Sequence, residues 1–428
     1  MNLEEMLDDN ELKEVPEEDR VPGWRIAFII VGIAIGLPLM LTGAELGNRM
    51  AFGISVLAVL LGGIVLAILS AITGAIGASQ RVSTYMLVER TFGVTGAKIV
   101  NVILIMTILG WFGISASVFG DAMSKAAAAY GAPGIGSEVF TTLGVVLMIA
   151  TSIFGFKSLD LLALIAVPLL CLLLAGLAYY GLQLGGASMP LKTDHVPIAF
   201  GDAVSMVIGS FIVGVVLFPD YCRYARSPMH GAIAGVLSLG VGFPIVLIAS
   251  IIPARATGQS DLVALLFALG AGIPALFLLV IATWTTNASN LYSASLAMSV
   301  EFKGISRWKV TIAAGVLGGL LAIFGIASNL VGYLVLLSFA IPPIAGIYIV
   351  DATGNYLGLW RPDNRPPRPK VSAPALFAWC AGSFVGWLSS IDMLVLTTLP
   401  AIDSLLVASV TFWILEWRTG FFQRNDPR

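Results

Sequence analysis

A stripe of small and hydroxyl-bearing residues interrupts an otherwise apolar segment between residues 273 and 300. If the segment is helical, five of these residues occur at i, i+3, i+4, i+7 and i+11 and share one face. They are Ala282, Thr285, Thr286, Ser289 and Ser293. Asn287 and Asn290 add two amides beside the stripe. The density of polar groups favours a lined path for a substrate or an ion. One or two hydroxyls alone would more simply bond back to their own helix or join it to a neighbour.

The composition indicates that this stripe belongs to a membrane protein. Of the 428 residues, 58% are hydrophobic and only 11% are charged, whereas a soluble domain has about 25% charged residues. The three cysteines are too scattered to suggest a disulfide or a metal site. No pattern is typical of nucleic-acid binding, of a phosphate-binding loop or of zinc ligation. The lipid bilayer is therefore an expected partner, and neither a nucleic acid nor a bound cofactor is expected.

Apolar runs long enough to cross a bilayer occur twelve times along the chain. They cover approximately residues 26–47, 54–78, 97–127, 139–156, 159–183, 199–219, 230–254, 270–300, 308–326, 328–352, 373–390 and 396–417. If both ends are cytoplasmic, 19 of the 23 Lys and Arg residues fall on the inner side, as the positive-inside rule requires. One missed or extra span would exchange the sides of all later loops. The charges therefore predict an all-α polytopic protein of the cytoplasmic membrane, with twelve transmembrane helices and cytoplasmic termini.

Helix-breaking residues occur inside two of these spans, the first and the sixth. The first contains Gly36 and Pro38, and the sixth contains Gly214 followed by Pro219. A helix that breaks inside the membrane frees backbone groups, which only protein or a polar cavity can satisfy. Because the first and sixth spans correspond in a chain of two five-helix repeats, breaks at both are the best sequence indication of a transporter's site.

The predicted organisation follows from these spans. The segments are an acidic cytoplasmic tail (1–24), a first five-helix repeat (25–183), a second five-helix repeat (199–352), a Pro- and Arg-rich cytoplasmic linker (353–372), two peripheral helices (373–417) and a cytoplasmic tail (418–428). The repeat is inferred from the pattern of breaks alone, since the two halves have no convincing residue-level identity.

Two aromatic residues in the third and sixth spans could form a stacking site. Trp111 lies between Gly110 and Gly113, and Phe211 follows Ser210 directly. Stacking between aromatic rings contributes about 0.5–1.5 kcal/mol beyond the burial of their area. The two aromatics therefore predict a flat, cyclic substrate.

Five motifs, in the same order along residues 24 to 415, resemble the nucleobase–cation symporter-1 family. They are Met40–Gly47, Gly110–Gly113, Gly209–Ile212, Trp284–Asn287 with Leu291–Tyr292, and Ala340–Pro343. The resemblance implies an inverted 5+5 repeat of the leucine-transporter type with two peripheral helices. It also implies alternating access and the uptake of a small planar heterocycle with Na⁺ or H⁺ as the coupling ion, and no enzymatic activity.

The resemblance further implies roles for individual residues. The two stacking aromatics map onto Trp111 and Phe211. A sodium site maps onto the backbone carbonyls of Gly36, Leu39 and Ala282 and the hydroxyls of Thr285 and Thr286. Unwound carbonyls and hydroxyls are oxygen ligands that suit Na⁺ in such transporters. Nearby polar residues that could form hydrogen bonds with a heterocycle are Ser115, Ser210, Ser289, Asn287 and Asn290.

Three positions depart from the cytosine-carrying members of the family. Those members have Gln, Ser and Asn where this chain has Ile108, Val213 and Ala282. A buried polar group discriminates strongly, because a ligand that lacks its partner leaves the group unpaired. The substitutions therefore favour a less polar ring, such as a methylated pyrimidine or a vitamin precursor, over cytosine.

Acidic residues near the ends of spans supply the remaining candidates. Glu45 could couple transport to protons, and Asp220 is expected to pair with Arg223 or Arg226. Two alternatives keep the same fold: a transporter of an amino acid or another zwitterion, and a transport-inactive sensor. A membrane enzyme would need clustered Asp or His residues at the membrane edge, and the sequence has no such cluster.

Overall fold

The computed structural model describes residues 14–154, 156–185, 188, 197–258, 272–302, 304–329, 333, 336–337, 339–356 and 370–424. Within these ranges the chain is helical, and its only extended pairing is a parallel bridge between Val21 and Ala225. Five helices are long and apolar enough to cross a membrane, and a bent pair of helices at 23–49 would be a sixth. The prediction of an all-α membrane protein is thus confirmed.

Sixteen α-helices are described in these ranges. They are α1 (Gly23–Ala34), α2 (Leu37–Arg49), α3 (Phe52–Gln80), α4 (Thr84–Phe92), α5 (Val94–Ala129), α6 (Ser137–Ser152), α7 (Phe156–Gln183), α8 (Phe200–Val216), α9 (Pro219–Cys222), α10 (Pro228–Gly235), α11 (Phe243–Thr257), α12 (Gly272–Glu301), α13 (Arg307–Ile323), α14 (Pro342–Tyr356), α15 (Ala373–Ser390) and α16 (Pro400–Arg424). A π-helical segment, Val236–Gly242, joins α10 to α11. A helix or a helix pair lies at each predicted span, which is consistent with a count of twelve.

The first predicted span is broken, as its sequence indicates. α1 ends at Ala34, Gly36 adopts an extended conformation (φ −87°, ψ 153°), and α2 starts again at an angle of 64°. Pro38 is tolerated because it lies in the first turn of α2, where the backbone N–H has no partner inside the helix. Gly36 is needed for space, since a Cβ there would lie 2.5 Å from Thr286 Oγ1.

The sixth predicted span is also broken. α8 ends at Val216, and α9 begins at Pro219 after two residues. The Tyr348 hydroxyl on α14 donates a hydrogen bond to the Val216 carbonyl at 2.9 Å. A carbonyl at a helix end needs such a partner inside a membrane. The tenth span therefore supports the break in the sixth.

Glycines let α2 pack directly on the backbone of α11. A Cβ at Gly43 would lie 2.7 Å from the Leu247 carbonyl oxygen, and one at Gly47 would lie 2.8 Å from that of Ile251. Small residues at membrane helix contacts permit this close approach. The buried Arg255 guanidinium then donates to the Gly47 carbonyl at 3.1 Å, at the C-terminal end of α2. α2 and α11 therefore form one packed unit.

The two C-terminal helices, α15 and α16, pack against each other, and α16 also packs against α14. The loop between them is fixed by Asp403, a fully buried carboxylate. It accepts hydrogen bonds from Ser389 Oγ at 2.7 Å and from the Thr397 backbone N–H at 2.9 Å. Ser205 on α8 donates to the Thr398 carbonyl at 3.4 Å, so this loop touches the start of the sixth span.

Candidate functional site

A small cavity of about 90 Å³ lies where the two broken spans meet the third and eighth spans. Gly36 from the first break, Trp111 on α5, Phe211 on α8 and Thr286 on α12 all contribute to its wall. Each described residue on this wall has an uncharged side chain. The cavity thus suits a neutral ligand. It brings together eight of the site residues predicted from the sequence: Gly36, Leu39, Trp111, Ser115, Ser210, Phe211, Thr286 and Asn290.

Two aromatic rings line this cavity, and each ring packs against a second aromatic residue. Trp111 packs edge-on against Tyr333, with ring centroids 5.9 Å apart and an interplanar angle of 76°. Phe211 rests against Phe243 at 5.5 Å. Gly214 leaves room for the Phe211 ring, since a Cβ there would lie 2.5 Å from that ring. Locked aromatic side chains at two walls are the arrangement that a flat ring needs for stacking.

The polar side chains of the wall differ in whether they already have partners. Ser210 donates to the Val207 carbonyl at 2.8 Å, and Tyr221 OH lies 3.3 Å from Ser293 Oγ. Ser115 Oγ is buried and has no hydrogen-bond partner among the described residues. A buried hydroxyl without a partner costs free energy. Ser115 is therefore the hydroxyl on this wall that a ligand would satisfy.

Asn287 and Ser289, both predicted to contact a substrate, do not line the cavity. Asn287 is fully buried and donates to the Phe112 carbonyl at 3.2 Å. Its Oδ1 accepts a hydrogen bond from Asn290 Nδ2 at 3.2 Å. Ser289 donates to the Thr285 carbonyl of its own helix at 3.1 Å. Asn290 does line the cavity, so Asn287 orients a wall residue from behind.

Of the three positions that depart from the cytosine-carrying members, two are on the wall. Ile108 and Val213 line the cavity, and Ala282 does not. The wall is therefore apolar at two positions where the cytosine-carrying members are expected to have a polar residue that recognises the base. Ser293 of the polar stripe is on the wall, and Tyr221 is a wall residue that sequence reasoning did not assign to the substrate. Tyr221 could have been suspected, because it follows the break in the sixth span by three residues.

Oxygen atoms cluster where α12 crosses the first break. Thr286 Oγ1 lies 3.1 Å from the Ile33 carbonyl and 3.1 Å from the Ala282 carbonyl. Thr285 Oγ1 donates to the Ile281 carbonyl at 2.5 Å. Carbonyls at a broken helix together with hydroxyls are the ligands that transporters offer to Na⁺. The described residues contain no group of three or more His, Cys, Asp or Glu that could hold a metal ion.

Of the three carbonyls assigned from the resemblance, that of Ala282 meets the Thr286 hydroxyl, whereas Gly36 and Leu39 are placed differently. Gly36 lies against Thr286, and its own carbonyl accepts hydrogen bonds from Leu39 and Met40 at 3.1 Å. Leu39 lies within α2, one turn beyond the break, and lines the central cavity. Besides the Ala282 carbonyl, the carbonyl that meets the Thr286 hydroxyl is that of Ile33. The sequence did not identify Ile33 because its apolar side chain gives no indication of what its carbonyl does.

A second cavity, of about 940 Å³, adjoins the first. Both are lined by Pro38, Leu39, Trp111 and Ser210. The larger cavity also has exposed residues on its wall, including Asp392 and Thr398 of the loop between α15 and α16. We refer to the end of the bundle where it opens as the loop face, and to the end with residues 14–25 and 219–230 as the N-terminal face. The central cavity is thus reached from the loop face.

Glu45, the candidate for proton coupling, lies on the wall of the larger cavity and not of the central one. Its side chain is 41% exposed, and its Oε2 lies 3.9 Å from Arg49 Nη1. Exposed pairs at this distance contribute little to stability. The structure places Glu45 on the approach to the central cavity, where it can attract cations.

Three contacts hold the helices together at the N-terminal face. Arg25 at the start of the first span pairs with Asp160 of the fifth. The Val21 backbone N–H donates to the Tyr224 carbonyl at 2.7 Å. The Tyr224 ring stacks on Phe156, with centroids 3.9 Å apart and planes 8° apart. These contacts join α1 and the segment after α9 to α7, opposite the open end.

The ion pair expected for Asp220 is not formed. Among the described residues, the Asp220 carboxylate accepts a hydrogen bond from the Thr84 backbone N–H at 2.7 Å. Arg223 instead donates to the backbone carbonyl of Asp220 at 3.3 Å and to the Tyr292 hydroxyl at 3.0 Å. The prediction was wrong because the short helix α9 turns the two side chains toward different neighbours.

A family model described as "Permease for cytosine/purines, uracil, thiamine, allantoin" matches residues 14–358. Cytosine permease of Escherichia coli strain K12 is 30% identical to this chain over 358 residues, which are 82% of this chain and 83% of the permease. The cytosine permease of Escherichia coli O157:H7 matches to the same extent.

Solved structures of low sequence identity share the fold. Mhp1, a nucleobase-cation-symport-1 family transporter in a closed conformation with bromovinylhydantoin bound, superposes with a TM-score of 0.78 at 19% identity, covering 98% of this chain and 96% of Mhp1. MhsT in complex with L-phenylalanine gives a TM-score of 0.59 at 18% identity, covering 92% and 98%. The leucine-transporter-type fold and the resemblance drawn from the motifs are both confirmed. The chain belongs to the family of permeases for cytosine and purines, uracil, thiamine and allantoin.

Proposed function

We propose that this protein imports a neutral, planar heterocycle by cation symport and alternating access. The observation that carries the proposal is the central cavity, which has Trp111 and Phe211 on an uncharged wall between two broken helices. Its relatives support the same class of cargo. The Escherichia coli proteins are cytosine permeases, and Mhp1 was solved with a hydantoin bound.

The wall favours a ring less polar than cytosine. Ile108 and Val213 present hydrocarbon where a polar edge of the ligand would lose its hydrogen bonds to water. Ser115 is available to donate one hydrogen bond to a ring carbonyl or ring nitrogen. A methylated pyrimidine or a related vitamin-precursor ring satisfies both conditions.

The same wall argues against a zwitterion, although the fold is shared with MhsT, which was solved with L-phenylalanine. An amino acid would need open space beside the N–H groups of the first break. Here Pro38 lies at the start of α2 and has no N–H to offer. Two ring walls also suit a flat ligand better than a branched one.

For the coupling ion we propose Na⁺, held by the carbonyls of Ile33 and Ala282 and the hydroxyls of Thr285 and Thr286. Thr286 and Ile33 belong both to this oxygen cluster and to the wall of the substrate cavity. An ion that joins α12 to the first break would therefore stabilise the same wall that the substrate contacts. Such shared elements give positive coupling between the two ligands.

The orientation follows from the charges, 19 of the 23 Lys and Arg residues lying on the side of both termini. We infer that the N-terminal face is cytoplasmic and that the larger cavity opens to the outside. In this conformation a substrate enters past Glu45 and reaches Trp111, while the contacts of Arg25 and Tyr224 hold the cytoplasmic side together.

The test is thermal stabilisation of the purified protein by a panel of heterocycles and amino acids, with and without Na⁺. A ligand at 100 times its Kd adds about 2.7 kcal/mol to the free energy of unfolding. We expect a pyrimidine-like ring to stabilise the protein, and more strongly with Na⁺. Stabilisation by amino acids alone would overturn the proposal. Uptake by proteoliposomes then distinguishes a transporter from a sensor, which would bind the ring without moving it.

A further inference from the structure

Two amide side chains one turn apart on α12, those of Asn287 and Asn290, differ in their access to the central cavity. Asn287 is fully buried behind the wall, and Asn290 lines the cavity. An Asn side chain has a donating end, the NH₂ group, and an accepting end, the carbonyl oxygen. The end of Asn290 that a ligand meets therefore decides which ligands the cavity accepts.

The neighbours of Asn287 fix the orientation of its amide. Its Nδ2 lies 3.2 Å from the Phe112 carbonyl oxygen and 3.4 Å from Met148 Sδ. A carbonyl oxygen and a thioether sulfur accept hydrogen bonds and cannot donate them. If the amide were reversed, its oxygen would face two acceptors in a fully buried position, and a buried acceptor without a donor is strongly disfavoured. The nitrogen of Asn287 therefore faces Phe112, and its oxygen is left for Asn290.

Asn287 fixes the amide of Asn290 in turn. Asn290 Nδ2 donates to Asn287 Oδ1 at 3.2 Å, and a reversed Asn290 would bring two oxygens together instead. Within the part of the chain that the structure describes, no group donates a hydrogen bond to the Asn290 Oδ1 atom. Because Asn290 lines the cavity, this oxygen is the atom that it offers to a ligand. A ligand can also reach the second N–H of Nδ2, but the oxygen still needs a donor.

The other groups of the wall are complementary to this oxygen. Ser115 Oγ, which has no partner among the described residues, can donate to a ring carbonyl or a ring nitrogen. Ile108 and Val213 present hydrocarbon. A ring that satisfies the whole wall has an N–H or NH₂ group for Asn290 and an acceptor for Ser115, and its alkyl substituents are on carbon and not on nitrogen.

We propose that Asn287 is a positioning residue that holds the Asn290 oxygen toward the cavity, so that the site selects planar rings with a free N–H or NH₂ group. A ring without such a group would take water away from this oxygen and give it no donor in return. It should therefore bind about 5- to 150-fold more weakly. The inference rests on the proposed function, because it narrows the cargo of that transporter to rings that are methylated on carbon and keep a proton on nitrogen.

The first part of the test measures how the unmodified protein binds matched rings in the presence of Na⁺. Uracil is compared with 1,3-dimethyluracil, and 4-amino-2-methylpyrimidine with 2-methylpyrimidine, which lacks the amino group. The second pair controls for steric exclusion, because the ring without the donor is the smaller one. Any other ring that stabilises the protein is paired with its fully N-methylated derivative. In each pair that binds, the ring with the N–H should have a Kd about 5- to 150-fold lower.

The second part assigns this selectivity to the two amides. Asn290→Leu removes the oxygen and should bring the ratio of the two Kd values toward one. Asn287→Leu leaves Asn290 free to turn its nitrogen to the cavity, so the ratio should fall several-fold while rings with an N–H still bind. A merely structural role would weaken both rings of a pair alike and leave their ratio unchanged. The matched control is Asn101→Leu, since Asn101 is equally buried and donates to Glu301 at 2.9 Å, away from the cavity wall; it should keep the parental ratio.

Equal binding of both rings of each pair by the unmodified protein would overturn the proposal. A parental ratio in Asn287→Leu or in Asn290→Leu would overturn it as well. If Asn287→Leu does not fold, Asn287→Ser takes its place and must show the same fall in the ratio, because its short side chain cannot bridge Phe112 and Asn290. Binding of no heterocycle at all would instead refute the proposed function, a result that is distinct from binding without selectivity.

Discussion

Gly36→Ala is the substitution that most directly tests the oxygen cluster at the first break. Gly36 has φ −87° and ψ 153°, which any residue adopts, so the substitution introduces no backbone strain. The added Cβ would, however, lie 2.5 Å from Thr286 Oγ1 and 3.1 Å from the Ile33 carbonyl oxygen. The threonine hydroxyl must therefore move away from the carbonyls of Ile33 and Ala282, which it now meets at 3.1 Å.

The size of the effect follows from the loss of one oxygen ligand. A hydrogen bond to a charged group contributes about 1.5–3 kcal/mol, and we take a lost ligand of the ion to cost a similar amount. Because every 1.4 kcal/mol is tenfold in affinity, the Na⁺ concentration for half-maximal uptake should rise by about 10- to 150-fold. Thr286→Ala removes the same hydroxyl and should have an effect of the same size.

The assay is substrate uptake by proteoliposomes over a range of Na⁺ concentrations, with Gly36→Ala, Thr286→Ala and the double variant. Since both substitutions act on one ligand, the double variant should be little worse than either single variant, a non-additivity that is expected for residues in contact. Gly176→Ala is the matched control, because a Cβ at this helical glycine meets no atom within 4 Å. Thr286→Ser, which keeps the hydroxyl, should restore much of the sodium affinity.

If uptake depends on the Na⁺ concentration in the same way in both single variants as in the parent, the assignment of Thr286 as a Na⁺ ligand is refuted. H⁺ would then be favoured as the coupling ion. Strictly additive effects in the double variant would show that Gly36 acts on something other than the threonine hydroxyl. Thermal unfolding without Na⁺ is the control for misfolding, since a damaged fold lowers the unfolding temperature even when no ion is bound.

Three further predictions concern the substrate wall and the closed face. Trp111→Ala should weaken ligand binding by at least about 2- to 12-fold from lost stacking alone, and Trp111→Phe by less; equal affinities in a calorimetric titration would remove this ring from the site. Ile108→Gln combined with Val213→Ser should shift the preference toward cytosine by about 5- to 150-fold, because methylated rings leave the new polar groups unpaired; competition uptake measures the ratio. Asp160→Asn breaks the part-buried pair with Arg25 and should lower the free energy of unfolding by about 1–3 kcal/mol; an unchanged unfolding temperature would contradict a stabilising role for this pair.

The first and sixth breaks were predictable because they depend on local chemistry. Pro38 and Pro219 each begin a new helix, where a residue without an N–H is tolerated. The polar stripe was also predictable as a stripe, because the helical repeat alone places residues 282, 285, 286, 289 and 293 on one face. Composition and the distribution of Lys and Arg then predicted a polytopic membrane protein without any tertiary information.

The tertiary structure decided which members of each face meet the cavity. Asn287 lies against the carbonyl of Phe112, and Asn290 lines the cavity although it is only three residues away. The choice depends on how α12 is rotated against α5, which helix packing determines and residue spacing does not. The contacts of backbone carbonyls and the absence of a hydrogen-bond partner could not be predicted from the sequence either. The Ile33 carbonyl belongs to an apolar residue, and the unpartnered hydroxyl of Ser115 is recognised only when every neighbouring group has a position. The sequence by itself determined where the helices break and which residues share a face, because both depend on local geometry. The identity of the groups that meet across the breaks depends on contacts between distant segments, and only the folded structure contains them.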